Sequence, residues 1–142
     1  MQNVSDVRIR LFLDALDQVM GLRVVDCKEE VPFEAEGRRL RLDFLVHAHL
    51  GNEQKATALG IEVLDSAYPR DVRLLLERFD VRAKYLAVAG EAPIVVANFL
   101  SRGAQELLRD AHINFYEVAS GTLYYRHGLR HIDIQRESAE PG

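Results

Sequence analysis

The sequence predicts an α/β domain in which a mixed central β-sheet is flanked by helices. Segments with apolar residues at every second position, as in strands, are interspersed with segments that repeat every three to four residues, as in helices. The predicted order is helix, three antiparallel strands, helix, strand, helix, strand and strand, which is typical of such a domain. One of these strands, residues 94–97, is apolar throughout, as expected in the middle of a sheet with helices on both sides.

The composition is that of one globular domain. The chain has 142 residues, of which 48% are hydrophobic and 28% are charged, as is typical of a soluble protein. We expect the domain to cover residues 1–134, because residues 135–142 have no apolar pattern and are predicted to form a disordered tail. The net charge of −4 provides no overall positive field, so any nucleic-acid site has to be local.

Two features predict a cytoplasmic protein. The single cysteine, Cys27, excludes an internal disulfide bond and suits a reducing compartment. The N-terminus lacks the apolar core of a signal peptide, and no apolar run is long enough to span a membrane. We therefore expect no membrane partner.

The first helix is predicted to begin after an N-cap at Ser5 and to end at Met20, with Gly21 as the stop signal. Its charged outer side, which includes Arg8, is interpreted as a solvated face. Its inner stripe consists of Ile9, Phe12, Leu13, Leu16 and Met20.

The central feature of the sequence is a predicted hairpin. Residues 22–27 form a strand before it, and residues 31–35 are either a second strand or its continuation. After a turn at residues 36–37, the runs 38–50 and 55–64 both alternate between apolar and polar positions. The apolar face of the first run carries Leu40, Leu42, Phe44, Val46, Ala48 and Leu50.

The short link between these two runs predicts an antiparallel pairing of Leu50 with Lys55. The same register places Asp43 opposite Glu62, on the face away from the apolar one. Two adjacent carboxylates repel each other unless a proton or a cation lies between them. Either each carboxylate pairs with a local arginine on a solvated face, or both bind a hard divalent cation such as Mg²⁺.

These residues also carry a family resemblance. Asp43 on one strand, Glu62-Val-Leu64 on the next, and a helix that opens with Pro69-Arg-Asp-Val-Arg73 together resemble the PD-(D/E)xK nuclease superfamily, over roughly residues 20–127. The resemblance implies a restriction-endonuclease-like fold. It also implies that Asp43 and Glu62 are ligands of Mg²⁺ or Mn²⁺, and that DNA is the partner that is hydrolysed or bound.

The chain departs from the family at Leu64, which stands where the motif has a lysine. In the family that lysine orients the attacking water, and a leucine neither donates a hydrogen bond nor carries charge. Arg41, opposite Leu64 in the predicted register, is the candidate for a replacement cation near the scissile phosphate, although arginine is a poor proton acceptor. Lys84 is a second candidate. Some members take an extra acidic ligand from upstream, where the candidates are Glu29, Glu30 and Glu34.

Residues 69–90 are predicted to form one long helix, although residues 85–89 would equally suit a strand. This segment is the most basic in the chain. Arg70 and Arg73 either contact DNA phosphates, as a nuclease requires, or belong to a charged outer helix face.

The last third of the chain completes the predicted sheet. Ser101 is predicted to cap a helix, after which residues 113–118 return as a strand. Residues 120–121 then turn the chain into residues 122–127, whose two tyrosines favour an edge strand.

A rival metal site is offered by His47 and His49, which lie two residues apart and share a strand face. The sequence contains no CxxC or HExxH pattern to complete a Zn²⁺ site. The alternative is a pair of surface histidines near the tip of the hairpin.

Two functions remain open. The first is a metal-dependent endonuclease or DNA-binding domain that uses Asp43, Glu62 and Arg41. The second is a degenerate nuclease-fold module that serves protein–protein interaction or homodimerisation through the strand edge at residues 122–127. The leucine at position 64 favours the second.

Overall fold

The computed structural model describes residues 6–35, 37–77 and 91–137, and its fold confirms the predicted α/β class. These residues form a seven-stranded mixed sheet and three helical segments. In chain order the elements are α1 (Val7–Met20), β1 (Leu22–Ala35), β2 (Arg38–Leu50), β3 (Thr57–Ala67), α2 (residues 69–77), β4 (Glu91–Leu100), α3 (Arg102–Asp110), β5 (Asn114–Glu117), β6 (Leu123–His127) and β7 (Arg130–Ile134). Lys84 and the segment predicted as either helix or strand lie outside the described residues.

The strands lie in the sheet in the same order as in the chain. The pairs β3–β4 and β4–β5 are parallel, whereas the other neighbours are antiparallel. Because parallel strands point the same way, the carboxyl ends of β3, β4 and β5 lie at one edge of the sheet.

Both faces of the central strands are buried. On one face, α1 packs its apolar stripe against Phe44, Val46, Ala48 and Leu50 of β2, as the alternation predicts. On the other face, α2 and α3 pack against β4 and β5. Each fully buried large apolar side chain contributes about 1.5–3 kcal/mol. The first cluster includes Ile9, Phe12, Leu16, Phe44, Val46, Ile61 and Tyr125, and the second includes Val72, Leu75, Val95, Ala97, Leu108 and Phe115.

No helix in the described ranges combines the length and the apolar character that crossing a bilayer requires.

The start of α1 differs from the prediction by one residue. Its N-cap is Asp6, whose Oδ1 accepts hydrogen bonds from the backbone N–H of Arg8 at 2.9 Å and of Ile9 at 3.4 Å. The predicted cap, Ser5, lies outside the described residues. Both residue types suit the position, so the pattern did not distinguish them. The end agrees with the prediction, since Gly21 stops the helix with a φ of 80°.

β1 is one continuous strand that pairs with β2 along its whole length, which decides between the two alternatives for residues 31–35. A bulge at Val25 shifts the register between Val24 and Asp26. As a result, Asp26 lies opposite His47.

β2 and β3 pair from Ala48–Thr57 to Phe44–Ile61, which is the register predicted for the hairpin. The alternation of apolar residues enforces this register, because a slip of one residue would turn the buried side chains of β2 to the other face.

β6 is not the edge strand that the sequence predicts. β7 pairs with it from Leu123–Ile134 to His127–Arg130, so the two edges of the sheet are β1 and β7. β7 was missed because its apolar pattern is limited to two isoleucines. The docking edge predicted at residues 122–127 is therefore already occupied by the chain itself.

The chain also remains attached to the domain beyond residue 134. Arg136 donates its backbone N–H to Thr122 Oγ1 at 3.0 Å, and the Thr122 hydroxyl donates to the Arg136 carbonyl at 3.0 Å. The domain therefore extends at least two residues beyond the predicted boundary. Residues 138–142 of the predicted tail lie outside the described residues.

Candidate active site

The candidate carboxylates lie where the described β2–β3 ladder ends. Its last pair is Phe44 with Ile61, and Asp43 is the next residue of β2. The Oδ2 atom of Asp43 accepts a hydrogen bond from the backbone N–H of Val63 on β3 at 2.7 Å. This bond holds the side chain against β3, beside Glu62, and leaves Oδ1 without a donor in the described residues.

Glu62 is buried, with 7% of its surface exposed, and it pairs with Val95 of β4 in the parallel ladder. Removing a carboxylate from water is costly and requires a compensating donor or cation. Asp43 is hydrogen-bonded to Val63, the residue after Glu62, so the two predicted acids lie on neighbouring strands.

A third carboxylate, which the sequence analysis did not single out, follows on β3. Asp65 is exposed, and its Oδ1 accepts a hydrogen bond from Asn98 Nδ2 on β4 at 2.7 Å. The parallel pairing of β3 and β4 brings these two residues together, because Leu64 lies opposite Ala97. The acidic site therefore extends towards the carboxyl ends of the two strands.

Arg8 on α1 supplies positive charge at these carboxylates. Its guanidinium binds Asp6 through Nε–Oδ1 at 3.3 Å and Nη2–Oδ2 at 3.1 Å. This hydrogen bonding is the main cause that raises the pKa of Arg8, and the negative charges of Asp65 and Asp43 raise it further, while burial opposes them. The helical pattern predicted only a solvated face for Arg8. In the structure, Arg8 also belongs to the candidate site.

Arg8 and Asp43 line a shallow cleft of about 270 Å³ together with Glu29, Glu30, Phe44 and Val63. Two of the three upstream acids thus reach the cleft. The third, Glu34, lies 3.7 Å from Arg39 instead. Glu29 and Glu30 are therefore the upstream acids that share a cleft with Asp43.

Arg41 has a different neighbour from the one that the sequence predicts. Its Nη1 lies 3.6 Å from Glu30 Oε1 on β1, and its side chain is 62% exposed. The described β2–β3 ladder does not extend to a pair between Arg41 and Leu64. Leu64 itself packs, partly buried, against the second apolar cluster. Position 64, where the motif of the nuclease superfamily has a lysine, is thus occupied by a side chain that packs.

The two arginines predicted to contact nucleic acid are both exposed on α2. Arg70 and Arg73 form no ion pair within the described residues.

We compared the chain with known proteins. No protein-family model and no curated protein matched the sequence. A crystal structure described as a protein of unknown function, AF1548, is similar in fold, with a TM-score of 0.50 and 14% identical residues. The match covers 79% of this chain and 58% of that chain, so this chain spans somewhat more than half of the other protein's length. The likeness supports the α/β fold and carries no activity with it.

The two histidines of the rival site have different partners. The bulge in β1 brings Asp26 Oδ1 to 2.8 Å from His47 Nδ1, and His49 Nδ1 lies 3.3 Å from the Glu53 carbonyl oxygen. Within residues 6–35, 37–77 and 91–137, no three or more His, Cys, Asp or Glu side chains form a group able to hold a metal by themselves. This finding applies to the carboxylates as well as to the histidines.

Proposed function

We propose that the domain is nuclease-like and acts on DNA with a divalent metal. One observation carries the proposal: the Asp43 carboxylate is bonded to Val63, the residue after the buried Glu62, and lies in the electrostatic reach of Arg8. Acidic oxygens beside a fixed cation are what phosphodiester chemistry uses, because the acids bind metal and the cation attracts phosphate.

The donor set suits Mg²⁺ or Mn²⁺ bound together with a substrate. Mg²⁺ prefers carboxylate oxygens, keeps several waters, and often takes only one or two protein carboxylates plus substrate phosphates. Asp43 and Glu62 would hold the ion. When bound, Mg²⁺ supplies a Lewis acid that polarises a phosphoryl oxygen and lowers the pKa of a water. Since the described residues form no larger ligand group, we expect tight metal binding only when DNA is present.

Arg8 replaces Arg41 as our candidate for the cation that the motif lysine would provide. Arg8 interacts with Asp43 and Asp65, whereas the guanidinium of Arg41 lies next to Glu30. An arginine stays protonated, so Arg8 would stabilise charge on the phosphate and would not accept a proton. Arg70 and Arg73 on α2 would bind backbone phosphates of the same DNA.

A second candidate function is a nuclease-fold module that binds without catalysis. The packing of Leu64 against the second apolar cluster favours it, because a side chain used in this way provides no cation for catalysis. If such a module forms homodimers through a sheet edge, β1 or β7 would have to provide the edge.

The test is a nuclease assay with plasmid, linear duplex and single-stranded DNA in Mg²⁺ or Mn²⁺. We expect cleavage by the natural protein and none by Glu62→Gln, which keeps the side-chain shape and removes the charge. Glu106→Gln is the matched control, since Glu106 is an exposed acid on α3 that does not line the cleft with Asp43. Equal cleavage by all three proteins would identify a contaminating nuclease. Absence of cleavage, together with metal-independent DNA binding, would support the non-catalytic module.

A further inference from the structure

An aromatic pair, of which Tyr68 is exposed and Phe99 is half-buried, lies at the carboxyl ends of β3 and β4. The rings of Tyr68 and Phe99 are 5.7 Å apart at an interplanar angle of 53°, and Tyr68 is 55% exposed. Neither residue belongs to either apolar cluster or is packed against one. The pair therefore has no evident role in the core.

The backbone around Tyr68 is fixed by several hydrogen bonds. Its N–H donates to Asp71 Oδ2 at 2.9 Å, and its carbonyl accepts the N–H of Val72 at 3.1 Å. One residue earlier, the Ala67 carbonyl accepts the N–H of Ser101 at 3.0 Å, which joins the ends of the two strands. A ring presented from such a rigid site loses little conformational entropy on binding.

Three exposed arginines lie on the two helices that follow the strands of the aromatic pair. Arg70 and Arg73 lie on the exposed side of α2, and Arg102 is exposed at the start of α3. The two helices begin side by side, because a Cβ atom on Gly103 would lie only 2.9 Å from Pro69 Cγ. None of the three arginines forms an ion pair within the described ranges.

We propose that Tyr68 and Phe99 stack an unpaired nucleobase while the flanking arginines hold the neighbouring phosphates. Aromatic rings combined with a basic surface bind single strands, since every base offers a flat face once it is released from a duplex. The ligand class is therefore a single-stranded nucleic acid or a frayed end.

This inference rests on the proposed function and adds a substrate class to it. Asp65, three residues before Tyr68, is hydrogen-bonded to Asn98, which precedes Phe99. The aromatic pair thus adjoins the acidic site on the side of the strand ends. At about 3.3 Å per residue, Tyr68 lies no more than roughly 20 Å beyond Glu62, a distance that a few nucleotides span.

The experiment measures binding without metal. Fluorescein-labelled oligothymidine and oligouridine of about 15 nucleotides, and a blunt DNA duplex of the same length, are titrated in EDTA and followed by anisotropy. We expect tighter binding of single strands than of duplex. Tyr68→Leu should weaken single-strand binding about 10-fold, whereas Tyr68→Phe should bind within about 2-fold of the natural protein.

Two controls separate stacking from general surface effects. Leu74→Ala removes another exposed side chain of α2, which is 58% exposed, and should leave binding unchanged. A strand containing 2-aminopurine should show a change in emission with the natural protein and with Tyr68→Phe, and none with Tyr68→Leu. Melting curves confirm that each variant is folded.

Three results would overturn the inference: undiminished binding by Tyr68→Leu, equal binding of duplex and single strands, or no binding of any oligonucleotide. A difference between oligothymidine and oligouridine would identify which nucleic acid is preferred. Because EDTA removes the metal, these results are independent of the nuclease assay. A protein that fails here but cleaves duplex DNA retains the proposed function without this inference.

Discussion

The Asp43 carboxylate accepts a hydrogen bond from the backbone N–H of Val63 across two neighbouring strands, one residue beyond their last ladder pair. Beyond the last ladder pair of β2 and β3, the N–H of Val63 thus donates to a side chain instead of a backbone carbonyl. The bond anchors one carboxylate oxygen of Asp43, and the other is the oxygen proposed to bind metal. This relationship gives the residue a structural role and a proposed ligand role that substitutions can separate.

Asp43→Asn should separate those roles. The amide oxygen of asparagine can still accept from Val63, so the free energy of unfolding should change by less than about 0.5 kcal/mol, whereas Asp43→Ala should cost about 1–3 kcal/mol. Both variants should lose the increase in melting temperature that Mg²⁺ and DNA produce together. Urea unfolding and thermal melts measure the two effects. A metal response that survives in Asp43→Asn would exclude this residue as a ligand.

The ion pair between Arg8 and Asp6 predicts a pH dependence. The pKa of Asp6 is lowered, mainly by the hydrogen bond from Arg8. A carboxylate with a lowered folded-state pKa stabilises the fold above its unfolded-state pKa of about 4 and loses this contribution as the pH falls through the folded-state value. The Arg8→Gln variant should therefore be less stable than the natural protein at pH 6, and the difference should shrink at pH 3.

Denaturant unfolding of both proteins across this pH range is the measurement, and Arg10→Gln on the same helix is the control. A difference that stays constant with pH would show that Arg8 acts through packing alone. In the nuclease assay, Arg8→Gln should also reduce cleavage more than Arg41→Gln does, since Arg41 lies beside Glu30.

Leu64→Lys tests whether the motif lysine can be restored. The substitution should lower the unfolding free energy by about 1–3 kcal/mol, because Leu64 packs partly buried against the second cluster. If the site is nuclease-like, cleavage should nevertheless increase. Leu76→Lys is the matched control, since Leu76 on α2 packs against the same cluster. Increased cleavage in both variants, or in neither, would contradict a lysine-specific gain at position 64.

Tyr125→Phe should stabilise the protein. The Tyr125 hydroxyl is fully buried without a hydrogen-bond partner in the described part of the chain, and burial raises its pKa. Removing an unsatisfied buried hydroxyl should add about 1 kcal/mol to the unfolding free energy. Tyr116→Phe is the control, because the Tyr116 hydroxyl is not one of the buried atoms without a partner in the described residues. A loss of stability in Tyr125→Phe would mean that the hydroxyl has a partner in solution.

Periodicity predicted the centre of the sheet well because its strands are long and strongly alternating. In β2, five consecutive even-numbered residues from Leu42 to Leu50 are buried, and only one register allows this burial. The fourth strand was likewise predicted as central, and β4 has parallel partners on both sides. The edge strand β7 was harder to predict. β7 has two isoleucines among polar residues, a pattern too weak to predict a five-residue strand.

The candidate site was predicted in part. Asp43 and Glu62 emerged from hairpin register, which is a local property. Arg8 could not be predicted in this way, because its position near the carboxylates depends on how α1 lies across the sheet. The spacing of residues along the chain does not determine that packing. Asp65 and Asn98 were missed for a similar reason, since their contact depends on the parallel pairing of β3 with β4.

The order of the strands also has a consequence for biosynthesis. Because sheet order follows chain order, each strand can join the growing sheet as soon as it leaves the ribosome. The exceptions are the two parallel steps, in which residues 101–113 must be made before β5 and residues 68–90 before β4, and the wait for β4 is the longer. During that interval β3 is an open edge with exposed apolar side chains, the kind of surface that promotes aggregation. Slow translation through residues 68–90 would prolong this exposure, and chaperone binding would be most useful at that stage.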